Sequence, residues 1–281
     1  MGLQSHDIIS LEDLGELIHP FFNSRAGRRV GKWLLKSIKV DKLNALHSDY
    51  AHLEGADFTT AVLQDPRIGV QYRVHGMEHL LALKDKTFIT ISNHPFGGLD
   101  GLILVDIVKK LRPDFKVLVN GFLDRVTALS DSWIPVHPRK NKAGYVHDPS
   151  KNVNGIRLLA ERVLEEHPVG MFPAGGVAHY DYVHNRVKEQ PWQMNNMRIL
   201  RAARVPILPI MFSGQNSKRF YRLLRISYNL NLLRLPAEIL NKKGQTFDVY
   251  IGAPIMPDEV AMHKTNKELR NYLMEHCFAL L

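Results

Sequence analysis

From about residue 86 onward, the chain alternates between short apolar runs and longer amphipathic stretches. The apolar runs are rich in β-branched side chains, as strands buried on both faces are. They predict strands at residues 87–92, 116–120, 168–172, 206–212 and 246–251. Helical periodicity predicts helices at residues 100–111, 153–166 and 194–204. Because strands that alternate with helices form a parallel sheet covered on both faces, we predict the α/β class, with a mostly parallel central sheet flanked by helices.

Residues 1–60 show helical periodicity, and they include a basic amphipathic stretch at 27–39. One predicted helical face carries the apolar residues Val30, Trp33, Leu34 and Ile38. Most of the basic residues lie elsewhere around the helix. Such a helix can lie on an anionic membrane, or it can dock on the protein with its basic face in solvent. The pattern leaves both interpretations open.

The change of pattern divides the chain into three predicted parts. Residues 1–69 are an N-terminal helical extension and a candidate membrane-associating segment, 70–260 are the α/β domain, and 261–281 are a C-terminal helix that packs on it. Residues 138–152 are predicted to form a polar loop that is basic at its start. Residues 218–240 mix arginines with aromatic and leucine side chains, and the leucine content favours packing against lipid or core over a nucleic-acid surface.

The charge balance indicates an anionic partner. The 281 residues carry a formal net charge of +9, with a sequence pI near 9.6. This balance favours nucleic acid, a lipid surface, or an acidic cofactor or carrier. The single cysteine, Cys277, excludes an internal disulfide, and we expect it to serve packing. We expect neither a signal peptide nor a transmembrane helix, since the N-terminus is acidic and every apolar run is short.

The first candidate for chemistry is the segment TFITISNHPFGGLDGLIL, residues 87–104, where a predicted strand gives way to a helix. Side chains at the carboxyl end of a parallel strand project into the crevice where such sheets bind ligands. Pro95 delays the helix, which leaves His94 at that end and Asp100 in the first helical turn. A histidine oriented by a carboxylate can act as a general base. A helix cap beside a satisfied histidine gives the same pattern.

Two turns that contain glycine are candidates for binding an oxyanion. Gly97 and Gly98 permit a tight turn and a close approach of a substrate to the backbone. In the segment GMFPAGGVAHY, a predicted strand runs into a proline and then Gly175 and Gly176. Successive N–H groups in such a turn can hold an anion, and an ordinary β-turn is the alternative.

Other chemistries find little support in the sequence. The chain has no P-loop, no Gly-x-Gly-x-x-Gly fingerprint and no Gly-x-Ser-x-Gly elbow, which argues against nucleotide binding and serine-hydrolase chemistry. His179, Asp181 and His184 lie close together in sequence but lack the spacing of metal ligands. We therefore predict no metal site.

Five segments, in the right order, resemble the motifs of the PlsC-type glycerolipid acyltransferase superfamily. They are SNHPFGGLDG, WIPVHPRK, MFPAGGVA, VPILPIMFSG and VYIGAPI. The resemblance covers roughly residues 70–260 and implies acyl transfer with His94 and Asp100 as the catalytic pair. Its third motif implies a substrate-binding turn made of Phe172, Pro173, Gly175 and Gly176. The loop that matches the second motif makes Arg139 a candidate acceptor or donor contact.

The sequence departs from the family pattern at two places. Five residues, rather than the usual four, separate His94 from Asp100. Ala174 replaces the glutamate of the third motif, and residues 176–178 offer no basic side chain. In the family, these positions are implied to help hold glycerol 3-phosphate. The pattern is most similar to a hemolysin-like branch linked to ornithine and glycine lipids, which favours an amino-acid or acyl-amino-acid acceptor.

The predicted activity is transfer of a fatty acyl chain from an acyl-carrier-protein or coenzyme A thioester to a hydroxyl or amine of a (lyso)lipid or amino-acid lipid. His94 takes the acceptor proton, and N–H groups near Gly97 and Gly98 or near Gly175 and Gly176 stabilise the oxyanion. We expect no cofactor beyond the thioester and no nucleic-acid partner. The positive charge suits the acidic donors, and it also suits peripheral binding to the cytoplasmic face of the inner membrane. An ordinary 1-acylglycerol-3-phosphate O-acyltransferase and a non-catalytic lipid- or nucleic-acid-binding protein are the alternatives.

Overall fold

The structure, a computed structural model, describes residues 7–17, 19–136, 149–226 and 234–281. In these residues, seven strands form a central sheet and two more form a separate hairpin. The sheet strands are β1 (Gln71–His75), β2 (Ile89–Ser92), β3 (Lys116–Asn120), β4 (Trp133–Val136), β5 (Val169–Met171), β8 (Ile207–Phe212) and β9 (Thr246–Ile251). The hairpin strands are β6 (His179–Asp181) and β7 (Arg186–Lys188).

The sheet is mostly parallel. Its strand order is β1-β9-β8-β2-β5-β3-β4. Strands β8, β2, β5, β3 and β4 run in one direction, β9 is antiparallel to β8, and β1 runs parallel to β9. The predicted α/β class with a mostly parallel sheet flanked by helices is therefore confirmed. The five strands that share a direction place their carboxyl ends together, where open α/β sheets bind ligands.

Helices precede the sheet and connect its strands, as the pattern predicts. The N-terminal helices are α1 (Leu11–Leu17), α2 (Arg25–Ser37), α3 (Val40–Tyr50) and α4 (Gly55–Gln64). The later helices are α5 (Met77–Leu81), α6 (Leu99–Lys109), α7 (Pro149–Leu164), α8 (Met194–Ala203), α9 (Lys218–Ile226), α10 (Leu235–Asn241), α11 (Pro257–Met262) and α12 (Asn266–Phe278).

The five predicted strands are all present near their predicted bounds, but four short strands escape the sequence pattern. Strand β1 lies at one side of the sheet and alternates exposed with half-buried residues, so it lacks an apolar run. Strand β4 lies at the other side and contains Pro135, which sheets tolerate only at their edges. Strands β6 and β7 are three residues each and too short to carry a periodicity.

The predicted polar loop at residues 138–152 is wrong for residues 149–152. Pro149 begins helix α7, four residues before the predicted helix start at 153. Proline is favoured in the first helical turn, where its missing N–H has no intrahelical partner to lose. Residues 137–148 lie outside the described residues.

Apolar side chains cover both faces of the sheet, which explains why its central strands β8, β2 and β5 are buried at every position. Along β8, Leu208, Ile210 and Phe212 belong to one core, while Ile207 and Met211 belong to the other. The first core includes side chains of α1, α3, α4 and α6, and the second includes side chains of α8 and α12. The N-terminal helices thus pack on the sheet. The division of the chain at residues 69/70 and 260/261 stays a prediction.

Helix α2 forms as predicted, but it does not bury its predicted apolar face. Gly27 and Gly31 are its buried residues. Of the predicted stripe, Val30 is 47% exposed and Trp33 is 69% exposed, while the other two members are half-buried. Since glycines let this side of the helix approach its neighbours closely, the tryptophan lies in solvent among basic side chains.

The basic and apolar stretch at 218–240 packs into the protein where the structure describes it. In α9, Phe220 and Tyr221 are buried, while Arg219 and Arg222 are exposed. This distribution agrees with the predicted packing against core. Residues 227–233 lie outside the described residues.

Candidate active site

The candidate site lies where β2 ends, at the carboxyl end of the parallel strands. Asn93 follows β2 and pairs its side-chain amide with the main chain of Phe212, the last residue of β8. Its Nδ2 donates to the carbonyl oxygen at 3.0 Å, and its Oδ1 accepts the N–H at 2.8 Å. This buried pairing fixes the chain just before His94. Sequence reasoning missed Asn93 as a positioning residue, although the Asn-His pair of the first motif pointed to it.

The structure brings His94 and Asp100 together. The imidazole Nδ1 lies 3.0 Å from Asp100 Oδ2. The Asp100 side chain is fully buried, and the His94 side chain is 14% exposed. Main-chain N–H groups of Phe96 and Gly97 donate to the same oxygen, and that of Gly101 donates to Oδ1. One carboxylate therefore orders the loop, accepts an N–H in the first turn of helix α6 and orients the histidine.

These contacts set the protonation states of the pair. Burial opposes ionisation of Asp100, but the neighbouring His94 and the main-chain N–H groups outweigh it, and the pKa of Asp100 is lowered. Burial likewise opposes protonation of His94, yet the Asp100 carboxylate raises its pKa above the ordinary value. An ionised carboxylate only accepts hydrogen bonds, so neutral His94 carries its proton on Nδ1. Its Nε2 keeps a lone pair and can accept a proton.

The five-residue spacing between histidine and aspartate depends on Gly97. This residue adopts φ +92°, in the region that favours glycine. A Cβ here would lie 2.8 Å from side-chain atoms of both Leu235 and Val177. The turn 95–98 is thus pressed between helix α10 and the loop of the third motif. Gly98, at the start of α6, has Ile239 as its nearest neighbour on that side.

The third motif lies beside the histidine. The ring of Phe172, the residue after β5, stands 4.2 Å from the His94 ring, centroid to centroid, at a 30° angle. A turn follows, in which Gly175 N–H donates to the Phe172 carbonyl at 2.9 Å. The Pro173 carbonyl accepts hydrogen bonds from the N–H of Gln193, just before helix α8, and from the side-chain amide of Asn196 in that helix. Ala178 N–H donates to the His94 carbonyl at 2.9 Å, so this loop runs along the first motif.

The two glycine turns share one arrangement, in which the N–H of the first glycine is used and that of the second is free. The N–H groups of Gly97 and Gly175 are already used, by Asp100 and by Phe172. Those of Gly98 and Gly176 make no hydrogen bond within the described part of the chain. Of the predicted oxyanion donors, these two therefore have capacity for a substrate.

Sequence reasoning missed Glu189 altogether. Both of its carboxylate oxygens lie 3.2 Å from the main-chain nitrogen of His94, which donates to them. Burial raises the pKa of Glu189 to about 7, although the His94 N–H and the His94 charge act in the opposite direction. The residue follows β7, and no motif or periodicity marks it. Only the folded chain brings it to the site.

The remaining predicted features fall outside this geometry. Arg139 lies outside the described residues. Cys277 packs in the second core, and this burial raises the pKa of its thiol to about 12, so it offers no thiolate nucleophile.

No group of three or more His, Cys, Asp or Glu side chains in the described residues is arranged to hold a metal ion. Within the same residues, no helix has the length and apolarity to cross a membrane.

The chain is similar to known acyltransferases. Two curated relatives are named lyso-glycine lipid O-acyltransferase. The one from Phocaeicola vulgatus is 27% identical over 263 residues, covering 89% of this chain and 88% of its own. The one from Bacteroides thetaiotaomicron is 26% identical over 259 residues, covering 89% of each chain. A solved structure of the 1-acyl-sn-glycerophosphate (LPA) acyltransferase PlsC from Thermotoga maritima aligns with a TM-score of 0.48 and 16% identity over 80% of both chains.

A family model described as acyltransferase matches residues 22–280, almost the whole chain. The match includes both halves of the site, the His94–Asp100 segment and the Phe172 turn. The resemblance seen in the five sequence motifs is thereby confirmed. The roles of the individual residues stay predictions. The chain belongs to the acyltransferase family, and it is an enzyme of lipid biosynthesis.

Proposed function

We propose that this enzyme transfers a fatty acyl chain from a thioester to the free hydroxyl of a lyso-aminolipid. The observation that carries the proposal is the buried Asp100 carboxylate at 3.0 Å from His94 Nδ1, because it leaves Nε2 as a proton acceptor at the carboxyl end of the strands. The acceptor class is supported by the two relatives named lyso-glycine lipid O-acyltransferase. Ala174, which stands where the phosphate-binding motif has an acid, argues against an acceptor that bears a phosphate.

In the proposed reaction, the acceptor hydroxyl gives its proton to His94 Nε2 while its oxygen attacks the thioester carbonyl. The carbonyl oxygen becomes an oxyanion, which the free N–H groups of Gly98 and Gly176 can bind. When the intermediate collapses, the carbon–sulfur bond breaks and the imidazolium returns the proton to the departing thiolate. No acyl-enzyme intermediate is required, in keeping with the protonated and buried state of Cys277.

The donor is an acyl carrier protein or coenzyme A thioester. Both donors are acidic, and the net charge of +9 suits either. The sequence gives Arg139 as a candidate contact for donor or acceptor. A titration of activity against both thioesters distinguishes them.

We further propose that the enzyme works as a peripheral protein on the anionic cytoplasmic face of the membrane. Helix α2 presents Trp33 and Val30 to solvent, together with Phe21, which is 46% exposed just before the helix. Exposed basic residues surround them, namely Arg25, Arg28, Arg29, Lys32 and Lys36. An aromatic residue among cations is the chemistry that binds an anionic lipid surface.

The first experiment measures free thiol released from acyl-carrier-protein and coenzyme A thioesters by the wild-type enzyme and His94→Ala. The acceptors are a lyso-glycine lipid, lysophosphatidic acid and glycine, each compared with no acceptor. We expect release that depends on the lyso-glycine lipid and is lost in the variant. Release with lysophosphatidic acid alone would establish the ordinary lysophosphatidate activity instead. Release that His94→Ala leaves intact would remove the histidine from the mechanism.

A further inference from the structure

The β6–β7 hairpin holds the main chain of His94 from both sides. Ala178, directly before β6, donates its N–H to the His94 carbonyl at 2.9 Å. Glu189, directly after β7, accepts the His94 N–H with both carboxylate oxygens at 3.2 Å. The two ends of one hairpin thus bind the two peptide groups that flank the candidate base. A loop inserted after the third motif is therefore part of the site.

Glu189 brings a second carboxylate to a site that already has Asp100. The two act on different parts of the histidine, since Asp100 contacts the ring and Glu189 contacts the main chain. Burial raises the pKa of Glu189 to about 7, and the charge on Asp100 adds to this effect. Near neutral pH the carboxyl group therefore exchanges its proton beside the base.

We propose that Glu189 is a positioning residue for acyl transfer, whose negative charge on the His94 main chain stabilises the imidazolium that forms when the acceptor proton is taken. The proposal rests on the proposed function, with His94 as the base. In the chemical step, the proton moves from the acceptor hydroxyl to Nε2 and later to the thiolate sulfur. Glu189 gains and loses no proton in the net reaction. Its contribution is the charge that it keeps while His94 is positive.

Charge and hydrogen bonding can be separated at this position. A glutamine at 189 keeps the shape and an oxygen that accepts the His94 N–H, but it removes the negative charge. If Glu189 served only to hold the loop, this change would leave the titration of His94 unaltered. If its charge acts on His94, the imidazolium loses a stabilising partner and His94 titrates at lower pH.

Other titratable groups face Glu189 and enter the interpretation of any pH profile. Among the described residues, four titratable groups share an electrostatic interaction with the Glu189 carboxyl group. They are His94, Asp100, Tyr221 and Cys277. Burial raises the pKa of Tyr221 and of Cys277 to about 12, so both stay neutral in the range where the enzyme is assayed. The titration near neutrality therefore belongs to the coupled pair of His94 and Glu189, beside an ionised Asp100.

The test compares the wild-type enzyme with Glu189→Gln, Glu189→Asp and the control Glu161→Gln. Glu161 lies on helix α7, paired with Arg157, and its replacement by glutamine likewise removes one carboxylate, away from the site. Histidine side-chain NMR signals are followed from pH 5 to 9, with those of His94 identified by their absence in His94→Gln. We expect the His94 midpoint to move to lower pH in Glu189→Gln and to stay in place in Glu189→Asp and Glu161→Gln.

The same variants are assayed for thiol release. In Glu189→Gln we expect kcat to fall by about tenfold with little change in KM, a small part of the roughly 10²- to 10⁴-fold that a general base contributes. The acidic limb of its pH profile should move to lower pH with the His94 midpoint. Glu189→Asp should recover much of the rate, because it restores the charge.

The outcomes distinguish this proposal from the proposed function. A His94 midpoint and a rate that both match the wild type in Glu189→Gln would reduce Glu189 to a structural contact and overturn the proposal. If the wild-type enzyme released no thiol, or if His94→Ala remained active, the proposed function would fail. The NMR titration would then still decide whether the Glu189 charge acts on His94.

Discussion

Two histidine–aspartate pairs of similar geometry lie at opposite ends of the parallel strands. His94 Nδ1 is 3.0 Å from Asp100 at the carboxyl end, and His167 Nδ1 is 2.8 Å from Asp114 at the amino end of β5 and β3. The side chains of the first pair are 14% and 0% exposed, and those of the second are 37% and 28% exposed. Distance alone does not distinguish them.

The partners of the two carboxylates explain the difference. Asp114 also accepts two hydrogen bonds from the Arg112 guanidinium, at 2.9 and 2.7 Å. The permanent positive charge of Arg112 therefore already balances the Asp114 carboxylate. Within the described residues, Asp100 has only neutral N–H donors besides His94. A buried carboxylate without a permanent cation stabilises a transient imidazolium, which a general base requires. Of these two pairs, only His94–Asp100 is a candidate for catalysis, because it is buried and its carboxylate has no permanent cation beside it.

The largest contrast is expected from removing each histidine. His94→Ala should lower kcat/KM by up to about 10⁴-fold, because the acceptor hydroxyl loses its proton acceptor. His167→Ala should leave kcat/KM near the wild-type value. Thiol release with the lyso-glycine lipid acceptor measures both. Equal losses in the two variants would mean that the pairs do not differ in function.

Replacing each carboxylate by its amide should give a smaller contrast. Asp100→Asn should lower kcat by about 10²-fold or more, since the amide no longer secures the Nδ1–H tautomer or the imidazolium. Asp114→Asn should affect thermal stability but not kcat, because its partners lie away from the site. Circular dichroism confirms that each variant is folded before the rates are compared. A normal kcat in Asp100→Asn would contradict the role given to this carboxylate.

The pH dependence of the rate should reflect His94 with its neighbours Asp100 and Glu189, and not the second pair. His94 must be neutral to accept a proton, and its pKa is raised above the ordinary 6.5. The protonated, inactive fraction therefore falls as pH rises through that raised value, and kcat/KM should increase with a midpoint above pH 6.5. The profile of His167→Ala should superimpose on that of the wild type. A midpoint below 6.5 would argue against the contact with Asp100 in solution.

The turn between His94 and Asp100 can be tested through stability. Gly97→Ala combines a positive φ with atoms at 2.8 Å, and we expect it to cost about 1–3 kcal/mol in free energy of unfolding. Gly244 has φ +71°, and a methyl group added there would meet no atom of the described residues within 4 Å, so Gly244→Ala isolates the backbone strain. It should cost about 1 kcal/mol. Urea unfolding of both variants measures the loss in free energy of unfolding. Equal losses would mean that the Leu235 and Val177 side chains move aside at no cost.

The smallest effect is expected at the membrane surface. Trp33→Ser should lower binding to anionic vesicles several-fold, because it removes the aromatic side chain that α2 exposes among cations. Leu164→Ser is the matched control, since Leu164 is 83% exposed at the end of α7 and is followed by acidic residues. Co-sedimentation at low salt measures both. Equal losses, or none, would remove α2 as the membrane contact.

The sequence by itself determined the fold class and predicted that His94 and Asp100 form a pair, whose catalytic role stays a prediction. Strands β2, β5 and β8 are buried at every position, and β3 and β9 alternate buried apolar residues with more exposed ones, so local composition reveals all five. His94 and Asp100 are six positions apart, and the strand–turn–helix transition between them is encoded by Pro95 and two glycines. Interactions over a few residues leave a local signal.

Only the tertiary structure decided which distant groups complete the site. Glu189 reaches the His94 main chain from 95 residues away, and Phe212 meets Asn93 from 119 residues away. Helix α2 also faces solvent on the side that its periodicity would bury, because the approach of Gly27 and Gly31 sets its rotation. Such contacts depend on how elements pack in space, and packing over long separations leaves no periodicity or motif at either residue.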